Sequence, residues 1–143
     1  IYDEAVDVEV LAKKIADLSQ QFTQFAGVRP FGVSLIISGV DRSGPQLFLT
    51  DPSGNYVGYN AVAIGAGSDQ VTEFFEQKYS DDVSVDNACI LAIEAIYLVS
   101  EEKVGTKHIK MAIIDADTKK MRRLTEKEIE KYAEKAKKPA PSS

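Results

Sequence analysis

The residues that could do chemistry here are few, and the best placed of them is the step Gly65-Ala66-Gly67-Ser68. Glycines just before a helix can turn backbone N–H groups toward an anion, and the helix N-terminus adds a partial positive charge. A dinucleotide-binding turn needs a third glycine and a P-loop needs Gly-Lys-Ser/Thr, and neither follows. The step therefore reads as packing and capping, with Ser68 as the expected N-cap. Cys89, the single cysteine, lies in Asn-Ala-Cys-Ile-Leu-Ala and reads as a buried structural thiol. His108, the single histidine, stands between Lys107 and Lys110 and reads as a surface residue, since a metal site needs more ligands. Asp51, Asp115 and Asp117 occupy turn signals. Asp81 and Asp82 precede a helix, where they fit its dipole. The run from Lys127 to Lys138 interleaves Glu and Lys one turn apart, which describes a solvated helix face. No Ser-His-Asp, Cys-His or Gly-x-Ser-x-Gly arrangement is present. The residues alone predict no catalytic group, no cofactor and no metal ligand.

The elements that must hold these residues are legible from periodicity. Leu11, Ile15, Leu18, Phe22 and Phe25 recur at helical spacing and predict an amphipathic helix over 7–25, with Asp7 as its cap and Gly27 its stop. Arg29-Pro30 breaks the register. Residues 31–40 alternate as a strand, and its small residues suggest cover on both faces. Asp41-Arg42-Ser43-Gly44 is a turn, 46–50 a second strand, and Asp51-Pro52-Ser53-Gly54 has the order a type I turn favours. Residues 56–59 and 61–64 continue an antiparallel meander. A short helix is expected over 69–79 with Val71, Phe74 and Phe75 inward. A second, capped by Ser84, is expected to reach Ser100, with Val85, Ala88, Cys89, Ala92, Ile93, Ile96 and Val99 as its packed stripe. A strand over 109–114, a turn at 115–118 and a strand over 120–124 precede a capping box, Thr125-Glu126-Lys127-Glu128, opening a helix that runs to about Lys137. Residues 139–143 read as a frayed tail. The order is segregated α+β, with a single domain over 1–138.

Bulk numbers set the class. The chain has 143 residues, is 44% hydrophobic and 27% charged, and carries a net charge of −5. That is ordinary for a soluble globular domain and gives no basic face for nucleic acid. No apolar run approaches the ~20 residues that span a bilayer. The acidic start Ile1-Tyr2-Asp3-Glu4 has no leader character, so a cytoplasmic location is expected.

The wording and order of DVEVLAKKIADLSQQFTQ, GVRPFGVSLIISGVD, LFLTDPSGNYVGYNAVAIGAGSD and TEKEIEKYAEK, in a match that extends over essentially all 143 residues, resemble the α-type subunit family of the archaeal 20S proteasome. The resemblance implies an α+β fold of a particular kind, the four-layer αββα sandwich of the N-terminal-nucleophile hydrolases. It implies a non-catalytic subunit in a homo-heptameric α ring stacked on a proteolytic β ring. A regulatory AAA+ ATPase would dock on that ring, and unfolded polypeptide would pass through it. The family's proteolysis belongs to an N-terminal threonine on β subunits, so catalytic residues carry over to no position here. A catalytic β-type relative would need such a threonine and a lysine on an early strand. A stand-alone ligand module would have to use Gly65 to Gly67. Set against the family's length, the sequence is expected to be the later part of such a subunit, lacking the gating tail, the first strands and most of the first long helix. Unpaired edges and uncovered apolar faces follow, with Val33, Leu35, Ile37 and Ile113 as the residues expected to be exposed.

Overall fold

The computed structural model describes residues 7–24, 34–100 and 108–136. They fall into two compact units. One ends at Asn60; the other begins at Ala61, and the segment Ile114–Lys120 is grouped with the first.

The first unit is a helix on a three-stranded antiparallel sheet. Helix α1 spans Val8–Gln24, and the strands are β1 (Leu35–Asp41), β2 (Gly44–Thr50) and β3 (Tyr56–Gly58), in that spatial order. The two hairpins form where the turn signals stand. Asp41 Oδ1 accepts from Ser43 N–H at 2.8 Å in the first. In the second, Asp51 C=O accepts from Gly54 N–H at 3.1 Å, and Gly54 takes a φ of 93° that a side chain would resist. The predicted strand over 61–64 does not form. Continuing the β2–β3 register, in which Phe48 faces Gly58, would set Ala61 against Pro45. That residue has no N–H to offer a third strand. Of the strand expected over 31–40, Phe31 to Val33 lie outside the described residues, as do Gly27 and Arg29-Pro30.

α1 does not bury the stripe its large residues suggest. Val8, Ala12 and Ala16 face the sheet, while Leu11 and Leu18 are 42% and 53% exposed. Ile15 sits at the boundary, half-buried; Phe22 and Phe25 lie outside the described side chains. The reason is close approach. Val8 and Ala12 pack on Phe48, Ile37 and Tyr56. A β-carbon at Gly39 would lie 2.8 Å from Val8 Cγ2, a distance only glycine permits. Phe48 and Tyr56 meet edge to face with centroids 5.9 Å apart. No described residue of this unit covers the far side of the sheet. Pairing places Ile36 opposite Leu49 and Leu49 opposite Val57, an apolar row across all three strands. Ile36 is 40% and Val57 51% exposed. Cover on both faces is expected for β1; among the described residues of this unit it is found on one. Leu35 is exposed as expected, but Ile37 packs under α1; Val33 lies outside the described residues.

α1 is capped from a distance. Asp7 C=O accepts from Leu11 N–H at 3.1 Å, as an N-cap carbonyl should. Val8 N–H donates to Asp41 Oδ2 at 3.0 Å, and Asp41 is buried at the end of β1. One carboxylate thereby closes the β1–β2 turn and satisfies a helix N-terminal donor that would otherwise be orphaned. Asp41→Ala is expected to cost about 2 kcal/mol, the sum of a lost cap and a stranded buried N–H. Urea denaturation followed by circular dichroism measures it, and Asp41→Asn, which keeps one acceptor, should lose less.

The second unit holds α2 (Ser68–Lys78), α3 (Val85–Val99), α4 (Glu126–Lys135) and, Ile114 excepted, the strands of the short hairpin β4 (Ala112–Ile114) with β5 (Met121–Arg123). Val71 and Phe74 of α2 are buried with Ala95, against Leu91, Leu98 and Val99 of α3. On another side of α3, Ile93 is buried with Ile109, Leu124 and Ile129. Two packed sides explain why α3 is apolar nearly all round. They also correct its predicted stripe: Val85, Ala88 and Ile96 are exposed, and Ala95 is buried. Ile113 packs against the Ile93 cluster instead of lying exposed. The strand expected over 109–114 shortens to three residues because its partner ends at Arg123, and Leu124 N–H makes one last bond to Met111 C=O at 3.0 Å. The capping box forms as the sequence predicts, and α4 ends at Lys135.

Candidate functional site

At the glycine step, the chain turns from coil into α2 with Gly67, not Ser68, as the cap residue; its φ of 81° is left-handed and no side chain caps the helix. Ser68 is already the first helical residue. Its N–H donates to Gly65 C=O at 3.2 Å and its own C=O accepts the Thr72 hydroxyl at 2.8 Å. The surface depression here is open and lined by Gly65, Ala66, Gly67, Ser68, Asp69, Gln70 and Val99. Asp69 puts a carboxylate in the first turn, which repels the anion that such a turn would otherwise hold. The need for glycine at 67 has another cause. A β-carbon there would lie 2.7 Å from Val99 Cγ1 and 2.9 Å from Val99 Cβ. The geometry supports the packing role that the sequence suggests.

Three of the carboxylates singled out in the sequence, Asp51, Asp82 and Asp115, accept hydrogen bonds within their own turns. Asp51 Oδ1 accepts from Ser53 N–H at 2.9 Å, from Asn55 N–H at 3.1 Å and from the Ser53 hydroxyl. Those donors, the hydroxyl first, hold its carboxyl below the usual range. Asp115 Oδ1 accepts from Asp117 N–H at 2.8 Å and Thr118 N–H at 2.9 Å, which lower it likewise. Asp82 Oδ1 accepts the Ser80 hydroxyl at 2.6 Å just before α3, where Ser84 Oγ caps Asn87 N–H at 3.1 Å. His108 is exposed. Among the described residues, no group of three His, Cys, Asp or Glu side chains could hold a metal ion. No described helix is long and apolar enough to cross a membrane.

Among the described residues a set of titratable groups joins α3, β5 and α4, and sequence spacing does not reveal it. The Tyr132 hydroxyl donates to Asp86 Oδ1 at 2.6 Å across 46 residues of chain. That bond, reinforced by burial and the Asp86 charge, pushes the phenol up to about 12. Arg122 Nη1 donates to both carboxylate oxygens of Glu128, at 2.8 and 2.7 Å. Glu128 in turn accepts from Thr125 N–H at 3.2 Å as its half of the capping box. Cys89 lies buried nearby, and burial first, then Asp86, pushes its thiol up despite Arg122. A protonated buried thiol is a poor nucleophile. A phenol pinned to a carboxylate is no acid or base at neutral pH. The set fastens three elements together. Among the described residues no buried side-chain nitrogen or oxygen is left without a partner.

Arg122 is the leading cause that holds Glu128 below its ordinary value of 4.5, followed by the Thr125 N–H. A lowered carboxylate contributes stability above its unfolded value and loses it as pH falls through the folded one. The urea midpoint should therefore decline as pH drops below 4.5. Glu128→Gln should lower the midpoint at neutral pH and flatten part of that acid slope. A variant with an unchanged slope would show that the pair contributes nothing.

The sequence profile described as "Proteasome subunit" matches residues 1–114. The chain is 49% identical over 133 residues to the proteasome subunit alpha of Methanothermobacter thermautotrophicus, covering 93% of this chain and 54% of that protein. It is 46% identical over 135 residues to that of Archaeoglobus fulgidus, covering 94% and 54%. With that of Saccharolobus solfataricus the identity is 41% over 137 residues, covering 94% and 57%. The chain thus spans about half the length of the curated relatives it matches.

Proposed function

The chain belongs to the proteasome subunit family, and from that premise we propose that it forms the later part of a non-catalytic α-type subunit of a 20S proteasome. One observation carries the reading: identity of 41–49% to archaeal α subunits along more than nine-tenths of its length. The site geometry supports it, since Asp41, Asp51, Asp82, Asp115 and Glu128 are engaged in turns and caps and the one thiol is buried.

In this reading the two units belong to one domain over 1–138, followed by a tail over 139–143, with the αββα sandwich as its architecture. The apolar row Ile36–Leu49–Val57 is then the inner face of a sheet that meets a second sheet, as aligned sandwiches require. The subunit takes its place in a heptameric α ring against a β ring, in the cytoplasm. An AAA+ ATPase docks on the ring and unfolded polypeptide is admitted through it, while peptide cleavage belongs to the β subunits. Nucleic acid and membrane have no part in it.

Native mass spectrometry of the full-length subunit, expressed with and without a β partner, tests this. Single or paired heptamers of α are expected, together with peptide hydrolysis only when β subunits are present. A monomeric product, or peptide turnover by the α product alone, would overturn it.

A further inference from the structure

We draw no further inference here: the strongest candidate, the exposed apolar row Ile36–Leu49–Val57 on the sheet face opposite α1, is an unpartnered surface, and nothing in the structure beyond the family reading above shows what covers it.

Discussion

Gly67→Ala is expected to destabilise the chain by about 2–5 kcal/mol, the largest loss for any single added methyl group here. Two costs add. A residue with a β-carbon pays roughly 1–2 kcal/mol to hold the left-handed conformation. The φ of 81° is set by the entry into α2 and cannot relax without moving the helix. The new carbon also lands 2.7 Å from Val99 Cγ1, and overpacking of that kind costs roughly 1–3 kcal/mol. Gly65 provides the control. Its φ is 104°, yet nothing lies within 4 Å of a β-carbon built there, so Gly65→Ala should show the conformational cost alone. Val99→Ala placed in the Gly67→Ala background removes Val99 Cγ1 but leaves its Cβ 2.9 Å away, so it should recover only part of the steric cost, and a double-mutant cycle in urea isolates that part. Equal losses at 65 and 67 would refute the contact with Val99. Inorganic phosphate should leave the midpoint of the unsubstituted chain unchanged. A rise with phosphate concentration would restore the anion reading of this step.

Ile93→Ala should cost about 2–5 kcal/mol, in the range of other fully buried isoleucine truncations. Ile93 is 0% exposed and lies where α3, α4 and the residues flanking the short hairpin converge on Ile109, Leu124 and Ile129. Ile93→Val, which removes one methyl group, should cost about 1 kcal/mol. The informative comparison is Ile96→Ala, one turn away. Periodicity places Ile93 and Ile96 in one stripe, yet Ile96 is exposed and its truncation should change stability by less than about 0.5 kcal/mol. Similar losses at both positions would mean that Ile96 is covered in solution.

That contrast shows what the sequence could and could not reveal. Local chemistry was readable wherever cause and effect lie within a few residues. Ser84 caps α3, Thr125 and Glu128 close their box, and Asp51 folds its own turn. Which face of a helix is buried was less readable, because it depends on the partner's shape. Leu11 and Leu18 look like core until Gly39 draws α1 down onto Val8 and Ala12. The strand expected at 61–64 failed for a similar reason: its fate rests on Pro45, sixteen residues earlier. The sequence points to packing at the glycine step, which the Val99 contact supports, but it points to Ser68 as the cap where the structure has Gly67, since a polar side chain is the commoner cap and the Val99 contact has no sequence signal. The Tyr132–Asp86 and Arg122–Glu128 bonds left no trace in spacing because they cross between elements.

The Asp41 bond to Val8 has a consequence in time. During synthesis α1 emerges 33 residues ahead of the carboxylate that completes its N-terminus. Until the β1–β2 turn has formed, the opening turn of α1 depends on water for that bond, and a lone helix of 17 residues is close to marginal. Hairpin and helix therefore mature together: the strand that gives α1 its floor also delivers its cap, and neither event is complete without the other.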